Sequence, residues 1–200
     1  MRIADLEIFI VAPPAGTWGG RYFIFVKLVS DDGIAGYGEC YAASVGPVAM
    51  QAVIEDVFAR HVEGRNPEDV EAMFRSAYSS GFTQRPDLTV MGAFSGLEMA
   101  CWDLVGKARG RPVHALLGGL VNARVRAYSY IYPYPGQAYK PETFFRDAQA
   151  QADSAARMVA SGYTALKFDP AGPYTIYDGH QPSLHDMDTS EAVCRCLAVL

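Results

Sequence analysis

The chain has 200 residues, of which 50% are hydrophobic and 20% are charged, and its formal net charge is −5. This globular composition excludes a disordered chain, and the mild acidity argues against a nucleic-acid partner, because phosphate binding needs clustered lysine and arginine. Acidic residues interrupt the N-terminal segment early, and no apolar stretch approaches the roughly 18 residues of a membrane helix. We therefore expect a cytoplasmic protein that does not contact a membrane.

Three segments rich in β-branched and aromatic residues open the chain, at 2–12, 22–29 and 34–41. Pro13-Pro14 ends the first segment, and Asp31-Asp32-Gly33 is typical of the tight turn of a hairpin. The pattern predicts a three-stranded antiparallel meander.

Apolar residues at helical spacing then mark three segments, 47–62, about 66–79 and 88–109. In the second segment Asn66 is the predicted N-cap and Pro67 the predicted first helical residue. Gly110 is predicted to end the third helix, and Pro112 to open a short helical turn that reaches Leu117. Residues 1–121 are therefore predicted to form an α+β domain.

The pattern changes over residues 122–200. Strands at 124–132 and 163–168 flank a helix at 141–161, and another helix begins at Glu191 after a long loop, 170–188. Alternating strands and helices are typical of a parallel sheet, here the beginning of a (β/α) TIM-type barrel. A whole barrel needs about 250 residues, so we expect the chain to be a truncated part of a larger protein.

Four cysteines occur in the chain, Cys40, Cys101, Cys194 and Cys196. The spacing of the last two suits neither zinc nor a mutual disulfide, because positions two apart in a helix point to different faces. We predict reduced thiols that fill small apolar sites.

Three motifs follow one another along the chain. They are DGIAGYGE at 32–39, EMACWDLVGK at 98–107 running into RPVHALLGG at 111–119, and GYTALKFD at 162–169. In this order and spacing they resemble the mandelate racemase/muconate-lactonizing branch of the enolase superfamily.

The resemblance implies an α+β capping domain on a modified TIM barrel. It also implies Mg²⁺ bound by carboxylates at the ends of later barrel strands, beyond Leu200, and abstraction of a proton next to a substrate carboxylate. No acidic residue of this chain is predicted to be a metal ligand. The intact protein is expected to be a homo-oligomer.

Lys167 and Asp169 stand two apart on the second predicted barrel strand, so their side chains share one face. Many relatives carry Lys-x-Lys here and use the second lysine as the base, and Asp169 departs from that pattern. We predict that Lys167 steadies a carboxylate or the metal-bound oxygen, and that Asp169 is a hydrogen-bond partner or a substitute acid/base. The alternative is a Lys–Asp ion pair at the barrel mouth.

The long loop supplies two further candidates. His180 is the candidate acid that protonates a leaving hydroxyl, and Tyr174 is a candidate substrate contact. The alternative is a proline-stiffened loop that packs on a neighbouring subunit. Trp18, after the first strand, and Tyr41, after the hairpin, are also candidate substrate contacts, unless each aromatic ring anchors its own loop.

Tyr128, Tyr130 and Tyr132 alternate along the first predicted barrel strand and should share one face. Tyr132, at the strand end, is placed to reach the site, while packing is the ordinary role of such tyrosines.

The Lys-x-Asp pattern and the long loop, taken with the resemblance, favour a Mg²⁺-dependent dehydratase of a sugar acid, an aldonate or aldarate. Its product would be a 2-keto-3-deoxy acid. The alternatives are a racemase or cycloisomerase of the same superfamily, or a non-catalytic fragment or homologue. The 200 residues alone are predicted to be inactive.

Overall fold

The structure is a computed structural model that describes residues 1–12, 22–41, 45–133, 144 and 147–168. It divides into two compact units, Met1–Val121 and Asn122–Leu200. In chain order the elements are β1 Ile3–Val11, β2 Phe23–Ser30, β3 Ala35–Cys40, α1 Pro47–His61, α2 Val70–Ser79, α3 Leu88–Arg109, α4 Val113–Leu116, β4 Ser129–Tyr130, α5 Ala148–Ala160 and β5 Leu166–Lys167.

The first unit begins with an antiparallel meander in the order β1-β2-β3. Alternate side chains of β2 are fully buried, namely Ile24, Val26 and Leu28. This alternation is expected of a sheet that packs on helices with one face, and the buried residues join α1, α2 and α3 in one core. The predicted meander and the α+β class are confirmed.

The backbones of β3 and α3 touch. A Cβ added at Gly38 would lie 2.0 Å from the carbonyl oxygen of Gly96, and one at Gly36 would lie 2.1 Å from that of Ala100. Real Cβ atoms do not come so close to a backbone atom, so only glycine fits at these positions of β3. The DGIAGYGE motif therefore has a packing explanation in this unit.

Two side chains of α3 bind the backbone of β3, the strand at one edge of this sheet. The Tyr37 amide donates to Asp103 Oδ2 at 2.9 Å. Lys107 Nζ donates to the Ala35 carbonyl at 2.9 Å and to Asp103 Oδ2 at 2.6 Å. An edge strand exposes unpaired backbone groups, and here α3 satisfies them. The EMACWDLVGK motif thus holds this edge of the sheet.

The length and composition of α3 alone would let it cross a membrane, which was not predicted from the sequence. Its buried residues include Phe94, Leu97 and Leu104, which pack in the core of the first unit. Core packing accounts for the apolar composition. The helix ends, as predicted, at Gly110, which adopts a left-handed conformation with φ of 60°.

The predicted start of α2 is wrong. The helix begins at Val70 after Asp69, and not at Pro67. The Asn66 side chain instead accepts the Glu68 amide at 3.2 Å, and its carbonyl accepts the Asp69 amide at 3.0 Å. Asn-Pro suits such a turn as well as a helix start, and here the turn forms.

The second unit contains a β–α–β unit in which β4 and β5 pair in parallel, with α5 between them in the chain. The paired strands are shorter than the predicted 124–132 and 163–168. Of the helix predicted over 141–161, the structure describes α5 and a helical residue at Phe144. Asp147 is extended, and its side chain caps α5 by accepting the Gln149 and Ala150 amides. The predicted start at Pro141 lies outside the described residues. The predicted loop 170–188 and the helix at Glu191 lie outside the described residues.

Candidate active site

The two faces of the β4/β5 ladder have different surroundings. Tyr130 lies beside Lys167 in the register. On the other face the Ser129 hydroxyl donates to the Met158 sulfur of α5 at 3.3 Å, and Ile131 is buried. Because alternate residues of a strand point to opposite faces, Tyr130 and Lys167 lie on the face away from α5. In a (β/α) barrel the helices cover the outside, so this face corresponds to the inner one.

Three aromatic rings line this face. The centroids of Tyr128 and Tyr130 are 6.1 Å apart in an edge arrangement at 60°. Tyr130 and Tyr132 are stacked, with centroids 5.4 Å apart and ring planes at 12°. These three residues are called the tyrosine row below. Both arrangements are favourable for aromatic pairs, so the rings brace one another.

The Lys167 ammonium lies against the tyrosine row. Its Nζ is 4.9 Å from the centroid of Tyr130 and 5.8 Å from that of Tyr128, which is cation–π distance. The pKa of Lys167 is raised above its ordinary value, first by the hydrogen bond with Tyr130 and then by the charges of Tyr128 and Tyr130 when they are ionised. Lys167 is thus held as an ammonium, a form that binds anions and cannot accept a proton.

The end of the tyrosine row is fixed to α5. The buried Ser154 hydroxyl donates to the Tyr132 carbonyl at 2.8 Å. Burial, as the largest cause, raises the pKa of the Tyr132 phenol, with Tyr130 acting in the same direction and Lys167 in the opposite one. Tyr132 therefore stays protonated at neutral pH and can donate or accept a hydrogen bond on this face.

Tyr41 belongs to the first unit, where it follows β3. It is 74% exposed. A Cβ added at Gly92 of α3 would lie 3.4 Å from the Tyr41 Cβ, which is van der Waals contact, so Tyr41 lies against the backbone of α3. The substrate contact predicted for Tyr41 stays a prediction, and Tyr41 and Lys167 lie in different units.

The other predicted site residues lie outside the described residues: Asp169, His180, Trp18 and Tyr174. Their roles stay predictions. The contact of Tyr128 and Tyr130 with Lys167 was missed, because packing was the role expected for the tyrosine row. The signal was present in the alternate tyrosines of one strand and the lysine of the next, but joining them needed the register of the ladder.

The two described cysteines are not nucleophiles. Cys40 and Cys101 are free and buried in the first unit. Burial raises the pKa of each thiol to about 12, so the reactive thiolate is scarce at neutral pH. The prediction that they fill small apolar sites is confirmed for these two residues.

Residues 7–118, more than half of the chain, match the N-terminal domain of mandelate racemase / muconate lactonizing enzyme. The chain belongs to the mandelate racemase/muconate lactonizing enzyme family. The resemblance inferred from the three motifs is confirmed. The matched segment includes β2, β3, α3 and α4, so it contains the contact between β3 and α3.

The curated relatives include two sugar-acid dehydratases. D-gluconate dehydratase from Thermoproteus tenax is 36% identical over 154 residues, which are 76% of this chain and 28% of that enzyme. D-galactonate dehydratase from Xanthomonas campestris pv. campestris is 34% identical over 131 residues, which are 66% of this chain and 31% of that enzyme. The matched part of each relative is therefore about a third of its length.

Among solved structures, a mandelate racemase/muconate lactonizing enzyme-like protein from Roseovarius sp. TM1035 is 63% identical and superposes with a TM-score of 0.87. The match covers 100% of this chain and 49% of that protein. The chain thus spans about half the length of this family member.

A magnesium site needs several oxygen ligands close together. Within the described residues no group of three His, Cys, Asp or Glu side chains could hold a metal ion. Lys167, the charged residue on the inner face of the ladder, is a cation and cannot be a ligand in that form. The described residues therefore do not fit a magnesium site.

Proposed function

We propose that the full-length protein is a dehydratase of a sugar acid, an aldonate or an aldarate, with Mg²⁺ as its cofactor. A base removes the proton from C2, next to the carboxylate, and the hydroxyl of C3 leaves as water after protonation by an acid. The resulting enol takes up a proton at C3 and becomes a 2-keto-3-deoxy acid. The overall change is the loss of one water, without an oxidant or a reductant.

The observation that carries this proposal is the position of Lys167. It stands as an ammonium on the face of the ladder away from α5, beside the tyrosine row. A fixed cation on the inner face of a barrel is suited to binding a carboxylate, and it disfavours the carboxylic acid form of the substrate. The two dehydratase relatives act on carboxylates, as their names state.

The acid and base are proposed from the sequence. Asp169 follows Lys167 by two residues in the sequence and is the proposed substitute base. His180 is the proposed acid for the C3 hydroxyl. The ligands of Mg²⁺ are expected outside the described residues, and family membership supports the metal.

A racemase or cycloisomerase is the second candidate. The solved structure with 63% identity carries the family name and no dehydratase name, so it supports the family and leaves the reaction open. Both alternatives begin with the removal of the same proton, and neither eliminates a hydroxyl. The product of the reaction therefore separates the two candidates.

The test is a screen of the full-length protein with Mg²⁺ against aldonates and aldarates, beginning with D-gluconate and D-galactonate. Semicarbazide traps the 2-keto acid that only dehydration forms. A parallel set of reactions in D₂O, read by proton NMR, reports exchange at C2. Keto-acid formation supports the proposal, whereas C2 exchange or isomerisation without keto acid would replace it by the second candidate.

A further inference from the structure

Tyr130 and Lys167 are paired across the β4/β5 ladder, and both side chains stand on the face away from α5. We propose that Tyr130, with Tyr128 beside it, is a positioning residue that holds Lys167 as a fixed cation for the substrate carboxylate. The inference deepens the proposed function and rests on it for its catalytic meaning.

The geometry places Lys167 against two rings. Its Nζ lies 4.9 Å from the centroid of the Tyr130 ring, and the Tyr130 hydroxyl is the first cause that raises the pKa of Lys167. The Tyr128 ring, 5.8 Å from Nζ, is a second and weaker cation–π partner. Both rings and the Tyr130 hydroxyl favour the ammonium over the free amine.

These contacts matter because lysine is a flexible side chain. An exposed lysine samples many rotamers, and its ammonium is a point charge on a mobile four-carbon stem. A cation that must meet a carboxylate gains from being held before the substrate arrives, since preorganised charges cost little reorganisation at the moment of reaction. Tyr130 supplies that restraint from the neighbouring strand.

The tyrosine row is itself fixed. Tyr130 stacks on Tyr132, whose backbone carbonyl accepts the Ser154 hydroxyl from α5. The ring beside Lys167 is therefore linked to α5 by the stacking of Tyr130 on Tyr132 and by the hydrogen bond from Ser154.

The rings of Tyr128 and Tyr130 are less buried than the residue next to them. Tyr128 is 54% exposed and Tyr130 is 39% exposed, whereas Ile131 between Tyr130 and Tyr132 is buried. Ile131 thus lies on the buried face of the strand, and the tyrosine row lies on the opposite face, beside Lys167. An aromatic wall next to a cation suits a ligand that carries a carboxylate and a carbon chain.

Three variants of the full-length protein separate the contributions. Tyr130→Phe keeps the ring and removes the hydroxyl, and Tyr130→Leu removes both. Tyr128→Phe is the comparison variant, because it keeps the more distant ring and removes a hydroxyl that acts on Lys167 only through its charge.

The first readout is the acetylation of Lys167 by a trace of acetic anhydride near pH 9, below the ordinary lysine pKa of about 10.4, with Lys107 as internal reference. Only the free amine reacts. We expect Lys167 to become about 3-fold more reactive in Tyr130→Phe and about 10-fold in Tyr130→Leu, because these changes remove first the hydroxyl and then also the ring that favour the ammonium. Tyr128→Phe should raise it in the same direction and by less than Tyr130→Phe. Unchanged reactivity in both Tyr130 variants, at a wild-type melting temperature, would overturn the inference.

The second readout is kinetic, with D-gluconate or whichever sugar acid gives keto acid. Tyr130→Phe should raise KM by about 3- to 10-fold and change kcat less, because the displaced cation mainly weakens carboxylate binding. A change in the melting temperature without a change in KM would indicate a structural role and contradict the inference. If Lys167 reactivity shifts as expected and no sugar acid yields keto acid, the positioning of Lys167 is supported and only the dehydratase proposal fails.

Discussion

Two lysines in the family motifs have different surroundings in the two units of the chain. Lys107, in the first unit, donates to the Ala35 carbonyl and to Asp103, so its charge is used to hold the edge strand β3. Lys167, in the second unit, lies over the rings of Tyr128 and Tyr130 on the open face of its ladder. Both ammonium groups lie near tyrosine rings, since Lys107 Nζ is 4.7 Å from the Tyr37 ring centroid. Lys107 in addition donates to backbone and carboxylate oxygens of its unit, whereas Lys167 lies on the face of the ladder away from α5.

The difference shows that a motif match does not by itself separate structural residues from chemical ones. The motifs at 32–39 and 98–107 are explained by backbone approach and by hydrogen bonds between β3 and α3. In the motif at 162–169, Lys167 lies against the rings of Tyr128 and Tyr130. The following predictions test the contacts that hold each unit together, beginning with the largest expected effect.

The largest loss of stability is expected from Gly38→Ala. The new Cβ would lie 2.0 Å from the Gly96 carbonyl oxygen, so β3 and α3 would have to separate. We expect a loss of about 3 kcal/mol or more in the free energy of unfolding, measured by urea titration. Gly81→Ala is the control, because the nearest atom to its added Cβ is 3.8 Å away, and it should cost less than about 0.5 kcal/mol. Similar losses in both variants would contradict the close contact.

A smaller loss is expected from Asp103→Ala, which removes the acceptor of both the Tyr37 amide and the Lys107 ammonium. Because the carboxylate is partly exposed, we expect about 1–2 kcal/mol in the same urea titration. Asp56→Ala breaks an exposed ion pair with Arg60 within α1 and should cost less than about 0.5 kcal/mol. Equal costs would mean that the edge of β3 does not depend on α3.

A local effect of about 1 kcal/mol is expected in the second unit from Ser154→Ala, which removes a hydroxyl that donates to the Tyr132 carbonyl at 2.8 Å. The amide of Ile131 pairs with the Lys167 carbonyl at 3.1 Å, so its hydrogen exchange should become about 5-fold faster. Ser161→Ala is the control, because the Ser161 hydroxyl donates to the Arg157 carbonyl at 3.0 Å, at the exposed C-terminal end of α5. If hydrogen exchange at Ile131 is unchanged in Ser154→Ala, the tyrosine row does not depend on its hydrogen bond with α5.

The smallest loss of stability is expected when the pH is lowered. His61 is buried between α1 and α2, its Nδ1 is 2.9 Å from Ser76 Oγ, and its Nε2 has no hydrogen-bond partner among the described residues. Burial is the first cause that lowers the pKa of His61 in the folded state. The unfolded state therefore binds the proton more readily, so stability is fully present above about pH 6.5 and declines as the pH falls below it.

Melting temperatures between about pH 7.5 and 5.5 test this direction. Wild type should lose stability over that range, and His61→Gln should lose less. His114→Gln, at an exposed position of α4, should behave as wild type. A His61→Gln profile that falls as steeply as that of wild type would contradict the assignment.

The sequence predicted the first unit well because its signals are local. The alternation in β2 and the helical spacing in α3 each report which face is buried, and Gly110 ends α3 as predicted. The start of α2 failed because Asn66 serves a turn as readily as an N-cap, and only the surrounding backbone decides between them.

The candidate site was predicted only in part. Lys167 was predicted as a site residue from the Lys-x-Asp pattern, and its role stays a prediction. Its contact with Tyr130 depends on the register of two strands separated in the chain by α5, and periodicity does not specify that register. The tyrosine row could therefore be placed on one face from the sequence, but not beside the lysine.

The central claim is tested most directly by the pair Lys167→Met and Lys107→Met in the full-length protein, with kcat/KM for a sugar acid and the melting temperature measured on both. Lys167→Met should lower kcat/KM by about 100-fold or more and leave the melting temperature unchanged. Lys107→Met should lower the melting temperature by about 2–4 °C and keep kcat/KM near wild type. A Lys167→Met protein with wild-type kcat/KM, or a Lys107→Met protein that loses activity without losing stability, would contradict the account.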